Sequence, residues 1–344
     1  IKVLTDLKLD EHRLPQDGRF KIESGESKIS FRVSIFPVYE GEKVVMRLLR
    51  EDAQGFTLES LGFYDDALEK IHSAIKRPTG LVLVTGPTGS GKTTTLYTVL
   101  DILNTPEVNI ATIEDPIEYR MPRINQTQVK PDIGFTFANG LRSLVRQDPD
   151  IIMVGEIRDS ETAALAINAS LTGHLVLSTL HTNSAAGAMP RLTDMKVEPF
   201  LISSTVSVIV AQRLVRKLCP ESRAKYRLKK EEIEAIGREI NLEKIIGILR
   251  QKKIVGAKDT WADIDFYRPT ETESCPKGYK GRVGIYEVLE VSAKVKELIV
   301  KSAAADSIQK LAEEEGMITM LEDGFIKAVQ GITSLEEVLR ASRE

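Results

Sequence analysis

The sequence predicts an α/β protein. A phosphate-loop domain of alternating strands and helices is preceded by a small α/β piece and followed by a charged insertion and C-terminal helices. Three observations predict it. The apolar run Leu81 to Val84 leads through Thr85 into GxxxxGKT, Gly86 to Thr93, and the helix-prone run Thr94 to Leu103 follows. That is the strand–loop–helix context of a phosphate-binding loop. Short apolar runs then alternate with helical stretches, the mark of a doubly wound domain. Finally, the tail from Ala293 to Arg340 reads as a helical bundle.

Taken in order, residues 1 to about 50 read as the small α/β piece. Arg19–Ile22, Lys28–Ile35 and Val44–Leu49 are strand candidates, with a turn near Gly25. Residues 63–77 read as a helix, with Leu68, Ile71 and Ile75 at helical spacing, ended before Pro78. The strands expected next are Leu81–Val84, Asn109–Ile113, Ile151–Val154 and Leu175–Ser178. Thr94–Leu103, Phe137–Gln147 and Thr162–Leu171 are the helices between them. From Arg216 to Arg282 the pattern breaks into the insertion, basic around 223–230 and helix-like over 229–252. The implied division is 1–52, a linker at 53–62, a core at 63–215, the insertion at 216–282 and a helical subdomain at 283–344.

Composition sets bounds on function. A chain of 344 residues suggests two or three domains. The 42% hydrophobic and 28% charged fractions are those of an ordinary globular protein. A net charge of −3 gives no strong pull toward nucleic acid. No apolar run is long enough for a membrane-spanning helix, and the richest stretch, Leu201 to Val210, carries four Ser/Thr. Two cysteines argue for a reducing compartment rather than a disulfide scaffold. The chain begins at Ile1 inside what reads as folded sequence, so an N-terminal portion is expected to precede it.

The loop carries the chemistry. Gly86, Gly89 and Gly91, with Pro87, Thr88 and Ser90 between them, let the backbone turn successive N–H groups inward. Lys92, Thr93 and Thr94 open a helix whose positive end adds to the pull on phosphate. Lys92 would reach the β/γ-phosphates of ATP, and the Thr93 hydroxyl would hold Mg²⁺. Ile151 to Glu156 is an apolar strand ending in an acid suited to the metal or the attacking water; a buried strand with a chance acid is the alternative. Glu114, Asp115 and Glu118 crowd within five residues, where repulsion calls for a cation, a water network or plain solvent. His174 and His181 flank a strand, as γ-phosphate sensors or as packed polar residues. Arg142, Arg146 and Arg158 are phosphate clamps or structural ion pairs.

Several blocks together resemble the secretion ATPases of type II secretion and type IV pilus assembly. They are Arg13 to Arg19 (RLPQDGR), the phosphate loop 86–93, the acidic box Glu114 to Tyr119 (EDPIEY) and Leu141 to Asp159. Leu171 to Asn183 (LTGHLVLSTLHTN), Ala211 to Val215 (AQRLV) and Gly278 to Arg282 (GYKGR) complete the set. The resemblance implies a RecA-like ATPase core behind a PAS-like N-terminal lobe, and a cytoplasmic homo-hexamer peripheral at the inner membrane through a platform protein. It implies that Arg19 and Arg32 bring charge to bound phosphate, in a geometry that a guanidinium fork suits. It places Glu156 on the second nucleotide motif, Glu114 at the head of the acidic box, and His174 and His181 on a histidine box. Either glutamate could align water, with Thr93 and Glu156 on Mg²⁺.

One departure concerns zinc. Many assembly ATPases of this family carry two Cys-x2-Cys pairs in the insertion, whereas here only Cys219 and Cys275 remain, with Ser222 and Thr272 at the other two places. Structural zinc needs four N/S ligands, so bound zinc is not expected and the insertion must be held by packing alone or be partly mobile. Retraction motors are the near alternative, but the Ala-Ile-Arg-Asn-type segment they carry is missing from the C-terminus. A conjugation-type ATPase stands further off. A DNA-dependent RecA-like motor is disfavoured by balanced charge without basic–aromatic interleaving. A non-hydrolysing scaffold is disfavoured by the acids and arginines.

Overall fold

The structure, a computed structural model, describes residues 1–24, 27–50 and 55–343. It divides into two compact units: Ile1–Phe56 with Pro116–Met121, and Thr57–Asp115 with Pro122–Glu344.

The smaller unit is an antiparallel sheet of β1 (Gln16–Ser24), β2 (Ser27–Val38) and β3 (Gly41–Arg50), preceded by a 3₁₀ turn at Val3–Thr5. The expected α/β character is absent: no α-helix occurs among its described residues. The reason lies in the period-two alternation, which makes every strand two-sided. Phe20 faces Phe31 and Phe31 faces Leu48 in register, and the two phenyl rings stack at 4.9 Å. Val33 and Ile35 are buried on that same face. On the opposite face Arg19 lies across from Arg32, and Arg32 across from Arg47. The turn expected near Gly25 falls outside the described residues, as does part of the linker expected at 53–62.

The larger unit opens with α1 (Leu58–Leu61), capped by Thr57, and ends that turn on Gly62 at φ +104°. Helix α2 (Asp65–Ile75) buries Ile71 and Ile75. The central chain then runs β4 (Gly80–Thr85), α3 (Lys92–Leu103), β5 (Ile110–Glu114), β6 (Ile124–Gln128), α4 (Phe137–Leu144), β7 (Ile151–Val154), α5 (Ser160–Leu171) and β8 (Leu175–Leu180). It continues with α6 (Ala188–Asp194), α7 (Pro199–Thr205) and β9 (Val206–Leu218). The insertion contributes β10 (Arg223–Arg227), α8 (Lys230–Glu239), α9 (Leu242–Gln251) and β11 (Asp265–Pro269). Strand β12 (Tyr279–Glu290) and helices α10 (Ala293–Val300), α11 (Ala305–Glu314), α12 (Met320–Val329) and α13 (Leu335–Arg343) close the fold.

Seven strands form one sheet in the order β12-β9-β4-β8-β7-β5-β6, with every pair parallel except β12 on β9. Strands β4, β5, β7 and β8 are buried along their whole length, as a parallel sheet covered on both faces requires. Packing is close: a Cβ on Gly140 of α4 would stand 1.8 Å from Ile113 Cδ1 of β5. Because the acidic strand β7 pairs with β8 and not with β4, the phosphate loop and Glu156 are separated by one intervening strand.

The insertion is not held by packing alone. Leu242, Ile245, Ile246, Leu249, Trp261 and Phe266 share a hydrophobic cluster with Phe325, Leu335 and Val338 of α12 and α13. Cys219 and Cys275, whose small number argued in the sequence for a reducing compartment, are joined in a disulfide with Cα atoms 6.7 Å apart. Among the described residues, no helix is long and apolar enough to cross a membrane.

Candidate active site

The site is built on the carboxyl ends of the parallel strands, where an open α/β sheet places its ligand crevice. Gly86, Gly89 and Gly91 all adopt positive φ (143°, 79° and 91°). At Gly86 a side chain is impossible on space as well, since a Cβ would stand 2.5 Å from Gln212 O and 2.7 Å from Ser90 Oγ. The crown of the loop, Pro87, Thr88 and Gly89, is exposed, as is Thr93, while Ser90 and Lys92 are buried and Thr94 half-buried. Lys92 Nζ donates to Gly86 O at 2.8 Å and Pro87 O at 3.0 Å, so the ammonium folds into the cradle of its own loop. Burial lowers its pKa, and the negative charge of Glu156 partly opposes that shift.

The loop fits a phosphate-bearing ligand. Among the described residues, Ser90 Oγ and Thr85 Oγ1 are buried with no hydrogen-bond partner. Buried polar atoms are ordinarily paired, and both belong to the loop or its entering strand. The loop is shaped from behind by Gln212 of β9, whose amide donates to Ser90 O at 2.7 Å and accepts from Thr95 Oγ1 at 2.8 Å. The sequence contains Gln212 within its AQRLV block, but nothing in its pattern reveals this role.

The two glutamates differ. Glu156 follows β7 by two residues, and the turn is anchored by Gly155 N–H on Ile113 O (2.8 Å) and Thr179 Oγ1 on Gly155 O (2.8 Å). One carboxylate oxygen pairs with Arg158 at 2.5 Å and the other with His181 Nε2 at 3.2 Å. Glu114 ends β5 and is 2% exposed. It accepts from Thr112 Oγ1 at 2.5 Å, from Gln126 Nε2 at 3.2 Å and from the Tyr97 hydroxyl of α3. Glu114 is thus tied to the phosphate-loop helix through Tyr97, which sequence reasoning missed. Asp115 is exposed, and Glu118 lies in the 116–121 segment of the smaller unit.

His181 and His174 are not brought together. His181 follows β8 at the loop end of the sheet. His174 precedes β8 at the far end, its carbonyl accepting from Gly80 N at the start of β4 and its Nδ1 bonded to Ala169 O at 2.9 Å. A six-residue strand is about 20 Å long, so His174 stands away from the loop beside it. Arg142 pairs with Glu161, and Arg146 reaches Ser143 Oγ only at 3.4 Å; of the three arginines near the acidic strand, Arg158 is the one on the site. In the smaller unit, Arg19 donates to Ile117 O at 2.5 Å. Arg32 lies between Arg19 and Arg47 in the cross-strand row, and Arg47 is a further arginine that the sequence reading passed over.

Residues 1–340 match the family described as "Type II/IV secretion system protein". The chain belongs to this family. A secretion-system relative, "Type II secretion system protein E" of Xanthomonas campestris pv. campestris, is 48% identical over 344 residues, covering 100% of this chain and 58% of that protein. "Type II secretion system ATPase E" of Vibrio cholerae is 47% identical over all of this chain and 64% of its own length. "Type IV pilus assembly ATPase PilB" of Thermus thermophilus is 45% identical over all of this chain and 37% of its own length. This secretion-system chain therefore spans less than two thirds of those relatives. Among solved structures, the pilus retraction motor PilT with bound ADP is similar at TM-score 0.67 and 29% identity, over 96% of this chain and 78% of that one. The ATPase DotB of Legionella pneumophila has the same fold at TM-score 0.65 and 22% identity, over 96% of this chain and 78% of that one.

Proposed function

We propose that this chain is the ATP-hydrolysing part of a motor for type II secretion or type IV pilus assembly. The observation that carries the reading is the Lys92 ammonium caged on the Gly86 and Pro87 carbonyls of its own loop. Lys92 leaves those carbonyls for the β/γ-phosphates, a stronger charge-assisted contact. Ser90 and the loop N–H groups hold the remaining oxygens, and Thr93 with Glu156 would hold Mg²⁺. That cation would supply charge neutralisation to the phosphates. Glu156, steadied by Arg158 and His181, orients the attacking water. Arg19 and Arg32 are the candidate arginines for bound phosphate, a contribution worth ~10³–10⁵ in rate where such arginines act.

The motor works as a homo-hexamer on the cytoplasmic face of the inner membrane, docked on a platform protein. The assembly and secretion reading is favoured over retraction because relatives at 45–48% identity carry assembly or secretion names, whereas PilT stands at 29%. The test is Lys92→Ala, assayed for ATP binding and phosphate release. Loss of both is expected; undiminished turnover removes the reading.

A further inference from the structure

The insertion is closed at its base by a single covalent bond. Cys219 directly follows β9; its N–H donates to Gly278 O at 3.1 Å and its carbonyl accepts from Ser222 N at 3.1 Å. Cys275 sits in a tight turn, exchanging backbone hydrogen bonds with Thr272 at 3.1 and 3.2 Å, and its carbonyl accepts from Gly278 N at 2.9 Å. Both sulfurs therefore project from short, hydrogen-bonded turns, and the Cys219–Cys275 bond spans a sequence separation of 56. Everything in the insertion, from β10 through β11, lies within that covalent loop.

A cavity of about 280 Å³ opens onto the disulfide. Cys219 and Cys275 line it together with Ser274, Glu221, Lys217 and Lys280. Both lysines are exposed, so the rim carries two ammoniums against one carboxylate. We propose that this cavity is a thiol–disulfide exchange site for a low-molecular-weight thiol bearing carboxylates, and that exchange there sets how firmly the insertion is closed.

The chemistry balances with that thiol as reductant. Its thiolate attacks one cysteine sulfur, the Cys219–Cys275 bond breaks, and the electron pair departs on the other cysteine as a thiolate. A second thiol molecule attacks the mixed disulfide, giving two protein thiols and one oxidised thiol dimer; two electrons reach the protein for two thiols oxidised. The reverse sequence uses the dimer as oxidant. The lysines favour this partner twice, by attracting its carboxylates and by stabilising thiolate over thiol. Opening the bond releases a constraint on a long loop of the unfolded chain, while the backbone turns around both cysteines and the Trp261 cluster remain.

The test uses the protein as purified, without reductant. Thiol titration should find no free cysteine, and glutathione should yield a mixed disulfide detectable by mass before full reduction. Glutathione at low ionic strength should react about threefold or more faster than cysteamine at matched thiolate concentration, and added salt should erase the difference. Lys217→Gln with Lys280→Gln should erase it too. Full reduction should lower the thermal midpoint by about 6 °C, and the Cys219→Ser, Cys275→Ser variant should match the reduced protein and ignore glutathione. Because reduction of the unmutated chain gives the same readout, a poorly folding variant leaves the test intact. Two free thiols in the purified protein, an unchanged midpoint on reduction, or equal rates for the anionic and cationic thiols would overturn the proposal.

Discussion

Replacing Gln212 by alanine tests how the phosphate loop keeps its shape. The residue is 1% exposed and its amide makes two hydrogen bonds, to the Ser90 carbonyl (2.7 Å) and from the Thr95 hydroxyl (2.8 Å). Truncation leaves both partners in a buried setting with water excluded. Each orphaned buried group costs about 1–3 kcal/mol, so together they amount to about 2–6 kcal/mol. Gln212→Met, which keeps the volume but not the hydrogen bonds, separates this loss from a cavity effect and should show most of it. The assays are urea unfolding, read as a lower midpoint at unchanged slope, and binding of a fluorescent ATP analogue, expected to weaken about tenfold, or 1.4 kcal/mol. A Gln212→Ala variant within about 0.5 kcal/mol of the parent, with unaltered affinity, would refute the idea that β9 props the loop.

Other outcomes follow from the same structure. Gly140→Ala puts a Cβ 1.8 Å from Ile113 Cδ1 and should cost about 1–3 kcal/mol, seen as a lower thermal midpoint. Lys327 is fully buried, donating to Gly284 O at 2.7 Å and pairing with Asp323 at 2.5 Å. Lys327→Met leaves the Asp323 carboxylate uncompensated, so a loss of about 3–5 kcal/mol is expected in denaturant titration, and Asp323→Asn in the same chain should recover part of it. Glu337 accepts from Arg216 N (2.9 Å), Arg216 Nη2 (2.8 Å) and Arg340 Nη2 (3.1 Å). Burial pushes its carboxyl up, but these donors prevail and hold it at about 2, below the ordinary 4.5. A depressed folded pKa contributes stability above pH 4.5 that is lost as pH falls toward 2. Glu337→Gln should flatten the acid limb of the stability–pH curve in that window.

The phosphate loop was legible because its chemistry is local: GxxxxGKT must be contiguous, and the strand before it must be apolar to lie buried in a parallel sheet. For the same reason Ile151–Val154 was found to the residue. What escaped the sequence is what the sheet order decides. Strand β8 lies between β4 and β7, and Tyr97 and Gln212 reach their partners across separations of 17 and 122 residues. The two histidines look alike in sequence, yet opposite ends of one strand give them different surroundings. The smaller unit was read as α/β, yet its three strand candidates extend into paired strands of nine to twelve residues. The missing zinc ligands were visible, but the closeness of Cys219 and Cys275 was not, since β9 and β12 bring together positions separated by the whole insertion.

The proposed ATP hydrolysis turns on Glu156, held between Arg158 and His181 beyond the end of β7. Phosphate release by Glu156→Gln, beside its ATP affinity, tests it most directly. Retained binding with turnover lowered ~10²–10⁴-fold is expected. Turnover equal to the parent, at equal affinity, would contradict it.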